Sequence, residues 1–405
     1  MTLTNVALIS LLAVGAPVLA RAFRRAAVPV IVIEILLGIA AGPRGLGWVE
    51  VDGAVGVLAL LGVTFLFFLA GLDVDLGKIR GALLGRSLAA YALGLAIAFG
   101  LALALSAAGL LDAPALVAIA LSATGLGLVV PILRNAGLAR TPDGVQVIAL
   151  ASVAEFAAVV VLALAFSSGS TPVGTVILLV SLAALAVLVT LLGERLRRFR
   201  RVTTAIDALS GGTVQLRVRL SVALVIGFAA LAQLGGLEVV LGAFLAGGIL
   251  NVLDGSMSDP VFRAQLDGLG YGFLVPLFFV TSGARLDFSA LSLWPDALLV
   301  VPLLTLTLLV SRGAPALVLR AGDTATRRLG AGLLCATSLP FIVTAAQLGV
   351  SDGRLGTSTA AAMTTAGLIG VLLFPALGVP LLRRSSTAVP LSEDDRPVIT
   401  RDRER

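Results

Sequence analysis

The chain has 405 residues, 58% of them hydrophobic and only 13% charged, with a mean hydropathy of +1.07. Soluble domains carry roughly 25% charged residues, so no water-facing surface could be assembled from this inventory, and a lipid solvent is implied. One cysteine (Cys335) and no histidine exclude an internal disulfide, His- or Cys-based zinc sites, Ser-His-Asp chemistry and haem ligation.

A membrane-crossing helix needs roughly 20 mostly apolar residues. Reading between charges and turn formers places thirteen spans, at 4–20, 27–42, 53–71, 83–109, 113–133, 144–167, 172–192, 217–235, 237–253, 268–283, 291–311, 328–349 and 356–382. The first is a retained helix and not a signal peptide, because arginines (Arg21, Arg24, Arg25) follow it where a cleavage site would need small residues. The basic residues then sort by side. With the N-terminus outside, 26 of the 29 fall in cytoplasmic loops or the tail, Arg312 among them, and only Arg44, Arg285 and Arg354 lie opposite. The positive-inside rule asks for this bias. It accounts for the net charge of +6 without nucleic acid.

The expected fold class is therefore all-α, polytopic and plasma-membrane embedded, with the C-terminus cytoplasmic. Residues 1–193 form a first membrane half and 217–384 a second. The basic, glycine-bearing segment 194–216 joins them along the interface, and 385–405 is a disordered tail.

The halves echo each other. "EILLGIAAG" from Glu34 resembles "EVVLGAFLAGG" from Glu238. "LFFLAGLDVDLGKIRGAL" from Leu66 resembles "LFFVTSGARLDFSAL" from Leu277, and "LSATGLGLVVP" from Leu121 is answered by "CATSLPFIVTA" from Cys335. An odd number of helices between partners makes the repeats inverted, an arrangement associated with alternating-access transport. The third pair carries interruptions: Ser122, Thr124, Gly125 and Gly127 in one span, Thr337, Ser338 and Pro340 in the other. Proline removes a backbone donor and frees carbonyls, so two broken helices are expected to meet there. The plainer alternative is that these small residues only permit close helix crossing.

Carboxylates deep in the spans are few. Placing one at a helix centre costs roughly 2.5–3.5 kcal/mol on insertion scales, which points to a site or a partner. Glu155 follows the first broken span closely enough for a hairpin to return it to the crossing, and is the candidate proton and cation site. Otherwise it is a neutral structural acid. Glu34 is a possible accessory group or a structural one. Arg285 pairs with Asp287 or serves as a countercharge competing with a cation at Glu155. Gln347 is a possible accessory, although Gln233 and Gln347 more commonly pack by hydrogen bonds in lipid.

Five blocks in order, "VIVIEILLGIAAGPRGLG", "FLFFLAGLDVDLGKIR", "LGAFLAGGIL", "LGYGFLVPLFFVTSGARLDF" and "ATSLPFIVTAAQLGV", resemble the sodium/hydrogen exchanger family, in its second monovalent cation:proton antiporter branch. The resemblance covers about residues 5–380. It implies a thirteen-helix homodimer in which a mobile core, holding the crossing and the Glu155 helix, slides against a dimerisation domain. It also implies exchange of Na⁺ or K⁺ for protons, without a cofactor or resident metal. One departure stands out. Where the family has an Asn-Asp or Asp-Asp pair, this chain has Ala154-Glu155. The lost polar neighbour leaves a second reading open, proton-driven export of a small organic solute or ionophore. A membrane enzyme or sensor on the same scaffold is a third, with no nucleophile–base pair or phosphate loop behind it.

Overall fold

A computed structural model describes residues 2–22, 29–74, 81–166, 172–197, 215–253, 259–286, 296–318 and 325–385. The interfacial segment expected at 194–216 lies mostly outside these residues, and the tail expected at 385–405 does so but for residue 385. Among the described residues there is no strand. Ten helical stretches are long and apolar enough to cross a membrane; two shorter apolar helices (Val30–Ala41, Val239–Leu253) and the helix Pro172–Arg197, with its apolar stretch Ala183–Leu192, complete a set of thirteen. The two shorter helices are the spans expected to be short.

In chain order these are α1 (Thr2–Ala22), α2 (Val30–Ala41), α3 (Gly53–Asp73) and α4 (Ala82–Ala107). The half-helices α5 (Pro114–Ser122) and α6 (Leu126–Asn135) follow, then α7 (Pro142–Phe166), α8 (Pro172–Arg197), α9 (Leu216–Leu234) and α10 (Val239–Leu253). The chain continues through α11 (Pro260–Arg285), α12 (Ala297–Val318), the half-helices α13 (Ala325–Cys335) and α14 (Pro340–Ser351), and α15 (Thr357–Ser385). Helix α11 begins eight residues before the expected span at 268. Its first turns hold Arg263 and Asp267, which read as loop in the sequence. Here they pair with each other at 2.9 Å, and Asp259 caps the helix by accepting from the Val261 and Phe262 N–H groups. Within α11 the backbone widens to a π-helical turn at Gly270–Leu274.

The helices pack as two groups. One comprises α2, α3, α10 and α11, flanked by α1, α8 and α9. The other comprises α4–α7 and α12–α15. In the first group the repeat partners exchange mates: α2 lies on α11, and α3 lies on α10. Both seams depend on a missing side chain. A Cβ at Gly38 would run into the Val280 carbonyl oxygen, and one at Gly71 into that of Phe244. Backbones can approach this closely only where small residues line the contact, which is how helices associate in lipid. Aromatic contacts join the groups, Phe67 to Phe341 at 6.1 Å and Phe156 to Phe244 at 5.6 Å between ring centroids.

Polar ties sort the loops into two ends. At one end the Asn5 side chain donates to Asp52 (3.3 Å), the Gly356 N–H donates to Asp112 (2.6 Å), and Arg354 donates to the Ala165 carbonyl (2.5 Å). At the other end Arg217 pairs with Asp259 (2.7 Å), Arg263 with Asp73 (3.0 Å) and Arg327 with Asp143. Every tie joins loops that the arginine pattern assigns to the same side. Arg312 is the exception to that pattern and a correction to it. It lies inside α12, only 2% exposed, and belongs to no loop.

Candidate functional site

Both interrupted spans are broken and the breaks face each other, although Gly127 falls inside the second half-helix and not in the break. Helix α5 ends at Ser122, residues 123–125 are non-helical, and α6 starts at Leu126. Its counterpart α13 ends at Cys335, and α14 starts with Pro340 in its first turn. Proline suits that position, since its absent N–H would have had no helical partner. The two breaks bond directly. The Gly125 N–H donates to the Thr337 carbonyl at 2.9 Å, and the Thr124 hydroxyl donates to the Cys335 carbonyl at 2.6 Å. Ser122 and Thr337 return their hydroxyls to their own helices, at the Ile119 and Leu333 carbonyls. Ser338 is fully buried, and its hydroxyl has no hydrogen-bond partner among the described residues.

Breaking two helices in mid-protein creates four helix ends. Each N-terminal end presents free N–H groups and a partial positive charge, and each C-terminal end presents free carbonyls and a partial negative charge. The charged residues follow that pattern. Glu155, on α7 and 3% exposed, accepts a hydrogen bond from the Leu126 N–H at the start of α6, at 2.5 Å. Arg312 stands at the opposite poles, where α5 and α13 end. Its Nε donates to the Thr124 hydroxyl at 2.9 Å. Thr124 thereby links the guanidinium, through its own hydroxyl, to the last carbonyl of α13. Tyr91 lies against the same break, its hydroxyl 3.3 Å from that of Ser122. Carboxylate and guanidinium are held by different helix ends and are not an ion pair.

Gly125 and Gly127 play different parts. A methyl group on Gly125 would meet its nearest neighbours at 3.5 Å, ordinary contact. Gly127 faces the other group of helices: a Cβ there would lie 3.3 Å from the hydroxyl of Tyr271, on the π-helical turn. Asp73 lies within electrostatic reach of both Glu155 and Tyr271, and Arg263 holds it. Glu155, Tyr271 and the Asp73–Arg263–Asp267 cluster thus lie within electrostatic reach of one another, between the crossing and the end that carries Arg263.

The remaining candidates are elsewhere. Arg285 and Gln347 do come together, but in a separate cavity of about 610 Å³ toward the opposite end, lined also by Arg44, Ser282 and Thr364. Arg285 thus lines a cavity that does not include Glu155, and Asp287, its other suggested partner, lies outside the described residues. Glu34 is buried in the first group of helices and lines a second cavity, of about 600 Å³, which includes no residue of the crossing. Ala154 beside Glu155 is fully buried and offers no ligand.

Sequence reasoning missed Arg312, Tyr91, Asp73, Arg263 and Tyr271. For Arg312 a signal existed: apolar residues run on for another turn beyond it in "LLVSRGAPALV". Ser311 and Gly313 beside it made the position resemble the end of a span. Among the described residues no cluster of acids, histidines or cysteines could hold a resident metal ion.

Residues 8–384 match the family described as sodium/hydrogen exchanger, transmembrane. The chain is 30% identical over 383 residues to a putative Na⁺/H⁺ antiporter, YjbQ, of Bacillus subtilis, an alignment covering 91% of this chain but 61% of that protein. It is 25% identical over 374 residues to the Na⁺/H⁺-K⁺ antiporter GerN of Bacillus cereus, covering 88% and 89% of the two chains. The fold is similar to that of the sodium proton antiporter MjNhaP1 of Methanocaldococcus jannaschii, with a TM-score of 0.64, 16% identity, and 95% and 99% of the two chains covered.

Proposed function

The chain belongs to the sodium/hydrogen exchanger family, and from that premise we propose that it is a monovalent cation:proton antiporter of the plasma membrane. Glu155 is the group that proton and cation share. The observation that carries this reading is the carboxylate's position: buried between the helix groups, at the N-terminal end of a broken half-helix, with the Leu126 N–H as its hydrogen-bond donor.

The chemistry follows from that position. A lone carboxylate in a low-dielectric setting is costly as a bare anion, so it binds either a proton or a cation. Na⁺ and K⁺ favour oxygen ligands: the carboxylate offers two, and the unpartnered Ser338 hydroxyl of the facing break is the candidate for another. Proton and cation compete for one site, so one leaves as the other arrives and exchange is electroneutral. Alternating access then requires the crossing and α7 to move relative to the α3–α10–α11 group, exposing Glu155 to each side in turn. Arg312 and Thr124 hold the two breaks together during that motion. The arginine pattern supports an orientation with the N-terminus outside and the Arg263 end cytoplasmic. The same family likeness supports a homodimer. The relatives named above are antiporters, which favours transport over catalysis or sensing.

Reconstitution into liposomes carrying a pH-sensitive dye tests the reading. Na⁺ or K⁺ pulses should drive proton movement in the wild type, and Glu155→Gln should reduce the rate by about 100-fold or more. Unchanged exchange by that variant would remove Glu155 from the mechanism. The fully buried methyl group of Ala154 favours one alternative, a proton-coupled exporter of a less hydrophilic solute. Proton movement driven by organic solutes and not by Na⁺ or K⁺ would select it.

A further inference from the structure

Helix α2 carries a second buried carboxylate in circumstances unlike those of Glu155. Glu34 is 3% exposed. It has no hydrogen bond or ion pair among the described residues. It lines a cavity of about 600 Å³ bounded by α1, α2 and the π-helical turn of α11. The walls are apolar for the most part: Ala13, Val14, Pro17, Ile31, Val275 and Leu277. Only Ser10 and Tyr271 add side-chain oxygens, and Ser10 already donates to the Val6 carbonyl.

A carboxylate in an apolar chamber is satisfied by a proton or by a cation, and it can exchange the first for the second. The chamber argues against a bare cation. A desolvated alkali ion needs several oxygens around it, and here one carboxylate and two hydroxyls, one of them already bonded, are too few. The volume lies within the range of small-molecule sites, which pair apolar walls with a few fixed polar groups. Two aromatic rings, Tyr271 and Phe273, stand in the wall and can meet a positive charge over their faces. The chamber also borders the outer surface: Val14 and Phe273 line it while remaining 68% and 46% exposed. In a bilayer those side chains meet lipid, so an amphiphilic solute can enter sideways.

We propose that this chamber is a binding site for a bulky organic cation, an onium or protonated amine with an apolar body, and that Glu34 is its anionic anchor. The site is independent of the exchange chemistry at Glu155, although Tyr271 belongs to both neighbourhoods.

Equilibrium binding of radiolabelled tetraphenylphosphonium to the full chain in nanodiscs, corrected for empty nanodiscs, tests the proposal. The wild type should bind saturably, and Glu34→Gln should bind at least about tenfold more weakly, the loss of one charge-assisted contact. Ala13→Phe, which puts bulk into the chamber and leaves the carboxylate in place, should also weaken binding. Glu155→Gln should bind as the wild type does, and neutral triphenylphosphine oxide should not compete. Gel-filtration profiles like that of the wild type establish that the variants are folded. Wild-type affinity in both Glu34→Gln and Ala13→Phe, effective competition by the neutral oxide, or loss of binding in Glu155→Gln would each overturn the assignment.

Discussion

At Gly38, in the seam between α2 and α11, a methyl group would run into the Val280 carbonyl oxygen. At Gly125, in the crossing, it would find its nearest neighbours 3.5 Å away. Both glycines sit in apolar stretches of similar composition, yet the first is required by packing and the second is not. In the α2–α3–α10–α11 group, small residues bring backbones together. In the crossing, the backbone is opened and its polar groups are bonded by Thr124, Thr337 and Glu155, with Arg312 held in turn by the Thr124 hydroxyl. The acids differ in the same way. Glu155 has a peptide N–H as donor, whereas Glu34 faces an apolar chamber. Small or acidic residues in a membrane helix thus have no single meaning, and the neighbouring helix decides.

The largest stability effect should come from closing the packed seam. Gly38→Ala should cost about 3 kcal/mol, at the upper end for overpacking, because the obstruction is backbone and cannot rotate away. Chemical unfolding in mixed micelles reads this, and a loss under 0.5 kcal/mol would show that the seam is loose. Next comes Thr124→Val, which keeps the shape but deletes the donor to Cys335 and the acceptor for Arg312. A cost of about 1.5–2 kcal/mol is expected. A double-mutant cycle with Arg312→Met should show coupling, and strictly additive losses would mean that Thr124 does not seat the guanidinium.

Gly125→Ala sharpens the contrast, with an expected stability change within about 0.5 kcal/mol. Its φ of −72° suits any residue. A large loss there would erase the distinction between packed and opened glycines.

The smallest effect belongs to Asp52, at the solvent-facing start of α3. Its carboxylate accepts from the Val55 N–H at 3.0 Å, and that bond, with the Asn5 amide beside it, holds its pKa below the usual carboxylate range. A depressed folded-state pKa contributes stability that is present above the unfolded value, about 3.9, and is lost as pH falls through the folded one. Unfolding midpoints measured from pH 6 down to 3 should therefore fall less steeply in Asp52→Asn than in the wild type. Parallel curves would assign the acid sensitivity to other groups.

Much of the architecture was legible in the chain. Thirteen spans follow from hydropathy because lipid leaves a helix no other way to satisfy its backbone. The two breaks follow from proline and small polar residues, where helix propensity and backbone bonding fail together. Glu155 stood out because an acid in an apolar run is expensive without a purpose. The α11 start was misread because Arg263 and Asp267 neutralise each other across one turn, a pairing that the linear order shows only as polarity.

What sequence settled by itself is therefore local: which segments cross the membrane, where they break, and which carboxylates are out of place. Tertiary structure decided the partnerships. It placed Arg312 at the ends of α5 and α13 instead of in a loop, sent Arg285 and Gln347 to a different cavity, and left Glu34 facing apolar walls. The physical reason is that a buried charge is stabilised by whatever helix end, hydroxyl or void lies opposite it. Those neighbours can lie far along the chain: 188 positions separate Arg312 from Thr124.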